Sequence, residues 1–116
     1  MSADALLGAA DIRALAAKLD IKPTKTWGQN FVIDANTVRS IVRISGVTEA
    51  DNIVEVGPGL GSLTLALLPI GKSTTVIEID PKLAAQIPLT VKNRLPGCAD
   101  RLNVVAMDAM KVTELP

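Results

Sequence analysis

Apolar positions fall into helical spacing in three stretches of the chain and crowd into β-branched runs in three others. Ile12, Leu15, Ala16 and Leu19 follow Asp11 at intervals of three and four, which predicts a short amphipathic helix over residues 10–19. Pro23 ends any continuation. Residues 22–32, KPTKTWGQNFV, show no clear period and contain Pro and Gly, so an irregular but ordered segment is expected there. Asp34 then caps a helix over 35–45, with Val38, Ile41 and Val42 on one side and Arg39 and Arg43 on another.

After the turn at Gly46 the period changes. Asn52 to Val56 reads as a strand, Ser62 to Leu68 as a helix stopped by Pro69 and Gly71, and Ser73 to Ile79 as a second, β-branched strand. Asp80 and Pro81 are helix-start residues, and Leu83, Ile87, Val91 and Leu95 recur every fourth position behind them. Pro88 lies inside that repeat and is expected to interrupt the helix, removing one backbone bond and kinking it. Leu102 to Met107 is a third strand that runs into Asp108. Strand, helix, strand, helix, strand is the pattern of a parallel α/β sheet.

Composition narrows the function classes. A chain of 116 residues with 48% hydrophobic content suits one packed domain at most. Twelve basic and twelve acidic residues leave no net charge, so no chain-wide field advertises a nucleic-acid partner. Locally the balance differs: between Lys18 and Arg43 there are five bases and two acids, beside the single Trp27 and the single Phe31. One cysteine and no histidine exclude a disulfide framework, and a metal centre would need carboxylates alone, so no metal is expected. A reducing, cytoplasmic setting is expected, with neither a basic export signal nor an apolar run approaching the roughly 18 residues of a membrane span.

Chemistry is concentrated at the ends of the three strands, where ligands of open parallel sheets bind. The first strand ends in Glu55 and in NIVEVGPGLGSLT, whose Gly57, Gly59 and Gly61 make G-x-G-x-G. The second ends at Glu78, where a carboxylate can accept two hydrogen bonds from ribose hydroxyls. The third ends at Asp108, which can accept from an adenine amino group. A nicotinamide or flavin dinucleotide fingerprint would place its third glycine at position 62, but Ser62 stands there, and Pro58 removes a backbone donor that a pyrophosphate would use. S-adenosyl-L-methionine has ribose, adenine and a methionine tail but no phosphate, and it fits this turn better. By itself Asp108 is more often a helix cap, and Glu78 a solvated strand end; their joint placement carries the reading.

The sequence resembles the ribosomal-RNA adenine N6,N6-dimethyltransferases of KsgA type. The resemblance rests on GQNFVID at 28–34, EVGPGLGSLT at 55–64, VIEID at 76–80 and MDAM at 107–110, four motifs in order from about Lys22 onward. It implies a Rossmann-like S-adenosylmethionine-dependent methyltransferase fold of class α/β, here incomplete, with the first three parallel strands and flanking helices. It further implies that Asn30 and Val32 hold the methionine end of the cofactor, that Gly57 and Gly59 let backbone approach methionine and ribose, that Glu78 binds the ribose, and that Asp108 binds the adenine. The implied reaction is in-line transfer of the sulfonium methyl group to the exocyclic nitrogen of an adenine in ribosomal RNA, twice per base, with the small ribosomal subunit as partner and positioning as the main source of rate.

On this resemblance, residues 1–46 are a helical segment carrying the QNF motif close to cofactor and RNA, and 47–116 are the first part of the cofactor-binding domain. The family's base-binding Asn-Leu-Pro-Tyr-type motif is absent, since NRLP at 93–96 precedes the third strand and no aromatic follows it. No catalytic residue is therefore assigned, and the chain is expected to be the inactive amino-terminal part of such an enzyme, lacking the helical domain. Its first strand, central in the complete fold, is expected to be an edge through which the chain self-associates. Three rivals remain: a large-subunit rRNA adenine methyltransferase conferring antibiotic resistance, a non-catalytic RNA-binding or transcription-accessory relative, and an NAD-dependent oxidoreductase.

Overall fold

The computed structural model describes residues 5–21 and 34–116. The described elements are α1 (Ala9–Lys18), α2 (Ala35–Ser45), β1 (Asn52–Val56), α3 (Ser62–Leu67), β2 (Ser73–Ile77), α4 (Pro81–Arg94) and β3 (Leu102–Val105), with short 3₁₀ turns at Pro96–Arg101 and Ala109–Lys111. The strands form one parallel sheet in the order β1-β2-β3. Asn52 pairs with Ser73 and Val56 with Ile77, and Thr74 to Ile77 continue onto Leu102 to Val105. β1 is thus an edge among the described strands, as the sheet topology predicts.

Local chemistry accounts for where the helices begin. The Asp34 carboxylate accepts from the Asn36 and Thr37 amides at the head of α2, and Asp80 does the same for Lys82 and Leu83 at the head of α4. These bonds, with that from the Thr37 hydroxyl, hold the Asp34 carboxyl below its ordinary range. Helix α1 is tied down at both ends: Asp11 accepts from the Gly8 amide and pairs with Arg94 of α4 at 3.0 Å, while Lys18 reaches Gln86 of α4.

Helix α4 runs unbroken from Pro81 to Arg94 with Pro88 inside it, so the expected interruption does not occur. Proline in a helix interior costs about 3 kcal/mol. Leu83, Ile87 and Val91 are all buried on the inner side of α4, and full burial of each such side chain contributes roughly 1.5–3 kcal/mol. Their sum outweighs the lost bond, and Pro88 itself is exposed. One apolar core joins α1, α2, α3, β2 and α4 through Ile12, Val38, Leu65, Val76, Leu83 and Ile87. No helix among the described residues is long and apolar enough to cross a membrane.

Candidate functional site at the strand ends

Both β2 and β3 stop two residues sooner than their apolar runs, at Ile77 and Val105, which leaves Glu78 and Asp108 in the segments that follow the strands. The ladder carries on one step past the ends: the Glu78 amide donates to the Val105 carbonyl at 3.0 Å, and the Gly57 amide to the Ile77 carbonyl at 2.9 Å. These two bonds bring the three strand ends together along one rim.

The glycine turn owes its shape to backbone that L side chains rarely adopt. Gly57, Gly59 and Gly61 all have positive φ, at 69°, 61° and 98°. Each of their amides is engaged inside the protein. Gly57 donates to Ile77, Gly59 to Oε1 of Glu78 at 3.2 Å, and Gly61 to the Pro58 carbonyl at 3.0 Å. The turn is therefore a folded collar whose three glycine amides are satisfied within the protein.

Glu78 is 2% exposed, so it is no solvated strand end. One carboxylate oxygen receives Gly59, and the other receives the Asp80 amide at 3.0 Å. Each oxygen keeps a second lone pair, and the two backbone donors fix the plane of the carboxylate. Asp108 is half-buried and caps the following 3₁₀ turn, accepting from the Met110 amide at 2.9 Å. The helix-cap role expected of an isolated Asp at this place is thus present, and it engages one of the two oxygens.

Glu55 lies on the half-buried side of β1 and accepts the hydroxyl hydrogen of Thr64 in α3, across the glycine turn. Burial pushes its carboxyl above the ordinary glutamate range; the Thr64 bond opposes this, and the negative charge of Glu78 adds to it. No group of three or more metal-ligating side chains occurs among the described residues.

The structure brings Gly57, Gly59 and Glu78 to one rim with the segment that leads to Asp108. Asn30 and Val32 lie outside the described residues. Of the basic segment, Arg39 and Arg43 sit on the exposed side of α2, bonded to Asn36 and Ser40. Ile79, Met107 and Met110, which the sequence motifs contain but which received no role of their own, flank Glu78 and Asp108 and are 57%, 39% and 91% exposed. Large apolar side chains beside two acids at strand ends were the available signal.

Comparison with known proteins agrees with the fold and identifies the family. The sequence profile described as ribosomal RNA adenine dimethylase matches residues 21–115. Ribosomal RNA small subunit methyltransferase A of Thermobifida fusca is 61% identical over 116 residues, spanning 99% of this chain and 40% of that protein. Among solved structures, the 23S rRNA methyltransferase ErmE is 28% identical with a TM-score of 0.63, over 75% of this chain and 34% of that one. A dimethyladenosine transferase from Plasmodium falciparum is 26% identical with a TM-score of 0.61, over 70% of this chain and 28% of that one. The chain thus spans about 40% of the length of the curated relative it matches.

Proposed function

This chain belongs to the ribosomal RNA adenine dimethylase family, and from that premise we propose that it is the cofactor-binding part of a small-subunit rRNA adenine N6,N6-dimethyltransferase that uses S-adenosyl-L-methionine. The observation that carries the cofactor is the state of the glycine turn. With the amides of Gly57, Gly59 and Gly61 bonded internally and Pro58 offering none, the turn suits a nucleoside without phosphates. A dinucleotide, which would need those donors for its pyrophosphate, is disfavoured.

In this reading the two backbone bonds on Glu78 hold its carboxylate ready for the ribose hydroxyls, each of which finds a free lone pair. The second oxygen of Asp108 takes the adenine amino group, and Ile79 and Met107 offer apolar surface to the ring. Asn30 and Val32 hold the methionine end. The cofactor supplies an already activated methyl group, and the protein's share is to fix its direction. Identity of 61% to a small-subunit enzyme against 28% to a large-subunit one favours a small-subunit RNA substrate.

The test is calorimetric titration of the full-length protein with S-adenosylmethionine. Glu78→Ala removes charge-assisted bonds and should weaken binding by about ten- to a hundred-fold, equivalent to about 1.5–3 kcal/mol. Unchanged affinity, or binding of NAD in place of S-adenosylmethionine, would overturn the reading. The edge of β1, unpaired among the described residues, supports a second, independent proposal, that the 116-residue chain self-associates through it. Sedimentation showing the 116-residue chain as a stable monomer with protected β1 amides would count against it.

A further inference from the structure

The carboxylate assigned to the ribose is held by two amides of different origin. That of Gly59 reaches it from the glycine turn, 19 positions away in sequence. That of Asp80 reaches it from two residues along the same chain, at 3.0 Å. A bond over so short a span forms only while the intervening backbone keeps its bend, so the plane of the Glu78 carboxylate depends on the backbone at Asp80. Glu78 is almost wholly buried, and its oxygens have little water to turn to if that bend is lost.

Three features fix that backbone. Asp80 is the N-cap of α4, and its own carboxylate accepts from the amides of Lys82 at 2.8 Å and Leu83 at 3.4 Å. Pro81 follows it, and a residue before proline is pushed out of the helical region into the extended one, where Asp80 lies with φ −79° and ψ 117°. Beyond them, Leu83, Ala84 and Ile87 are buried and anchor the first turns of α4. The amide of an N-cap residue has no partner inside its helix. An acid at the third helical position often reaches back to it, but Leu83 stands there, and Glu78 accepts that amide instead. One residue thus starts the helix with its side chain and holds Glu78 with its backbone.

Resting on the S-adenosylmethionine reading, we propose that Asp80 is a positioning residue for the cofactor: by capping α4 it keeps its own amide on Oε2 of Glu78, and so orients that carboxylate toward the ribose 2′- and 3′-hydroxyls. The cap acts through geometry rather than charge, so an uncharged cap of the same shape serves as well. Its effect is confined to the ligand groups that Glu78 meets. A ligand without ribose hydroxyls gains nothing from it.

The experiment is titration of the full-length protein with S-adenosylhomocysteine and with its 2′,3′-dideoxy analogue, for the wild type, Asp80→Ala, Asp80→Asn, Glu78→Ala and the double variant of Asp80→Ala with Glu78→Ala. Asp80→Ala should weaken S-adenosylhomocysteine by about three- to tenfold, the order of one hydrogen bond, and leave the dideoxy analogue within about twofold. Asp80→Asn, an equally good cap, should restore the wild-type preference for the hydroxyls. With Glu78→Ala already present, Asp80→Ala should have no further effect on either ligand, because the group it acts through is gone. If Asp80→Ala weakens both ligands alike, or adds in full to Glu78→Ala, Asp80 only braces the helix and the proposal fails. It also fails if Asp80→Asn behaves as Asp80→Ala, or if Asp80→Ala leaves S-adenosylhomocysteine affinity unchanged. Should Asp80→Ala not fold, Pro81→Ala, which keeps the cap and frees the backbone of Asp80, decides by the same comparison of the two ligands. A wild type that binds neither ligand, or a Glu78→Ala variant that binds both as the wild type does, overturns the ribose assignment, and this inference with it.

Discussion

β1 and β2 are both five-residue parallel strands rich in β-branched side chains, yet they live in different surroundings. In β2, Thr74, Thr75, Val76 and Ile77 are buried in succession, which requires cover on both faces of the sheet. In β1 exposed and half-buried residues alternate, and Val54 and Val56 are 45% and 64% exposed. The difference comes from cover rather than from strand chemistry: among the described residues the face of β1 that carries Val54 and Val56 lies open, whereas both faces of β2 are covered. β2 has a partner on each side, and β1 has one. The more exposed strand nonetheless leads directly into the glycine turn, and the amide of Gly59, which hangs from β1, is held by a carboxylate at the end of β2.

The largest expected effect comes from breaking that link. Gly59→Val forces a β-branched residue toward a φ of 61°, with strain of about 1–3 kcal/mol, and disturbs the amide that positions Glu78. S-adenosylmethionine binding should fall below detection by calorimetry while far-ultraviolet circular dichroism stays close to wild type. A smaller effect separates the strands themselves. Val76→Ala, at a residue with no exposure, should lower the urea-unfolding free energy by about 2 kcal/mol. Val56→Ala should change it by no more than about 0.5 kcal/mol. Equal costs at the two sites would mean that β1 is covered as fully as β2 in solution.

The smallest effect is a pH dependence. The Glu55 carboxyl titrates above its ordinary value near 4.5 in the folded chain, so the stability it contributes is fully present below that value and is lost as pH rises through the raised one. Asp11, held low chiefly by the Gly8 amide and also by Arg94, works the other way, losing its contribution as pH falls through its lowered value. Urea unfolding of wild type and Glu55→Gln, compared between pH 4 and pH 8, isolates the first from the second. The stability difference between the two should move against the wild type as pH rises; a constant difference would place Glu55 in a well-hydrated site.

What could be read in the sequence was what depends on neighbours along the chain. Asp34 and Asp80 announced their helices because a cap acts over two or three residues, and the β-branched run at 73–79 announced β2 for a similar reason, though the strand ends at Ile77. Glu78 and Asp108 could be placed at strand ends from the alternation of elements alone. The sequence did not reveal that Glu78 is already bonded to Gly59, because that contact joins residues 19 positions apart across the sheet. The 3₁₀ turn at Pro96–Arg101 was missed as well, being set by how α4 returns to β3 rather than by any apolar period. Pro88 misled for the same reason: a local rule gave way to burial of the helix face around it.

The sheet order has a consequence for assembly in time. Each strand pairs with the next one in the chain, through connections that place partners such as Asn52 and Ser73 21 positions apart and Thr75 and Asn103 28 apart. Loop-closure entropy distinguishes closures of these lengths by only about 0.3 kcal/mol, so neither pairing is held back relative to the other. A chain leaving the ribosome can therefore dock β2 onto β1 as soon as β2 has followed α3 out, and β3 onto that pair one helix later, so neither of these two pairings waits for a distant segment. The glycine collar closes in the first of these events, once Glu78 has followed β2 out, so its shape can be set before Asp108 reaches it.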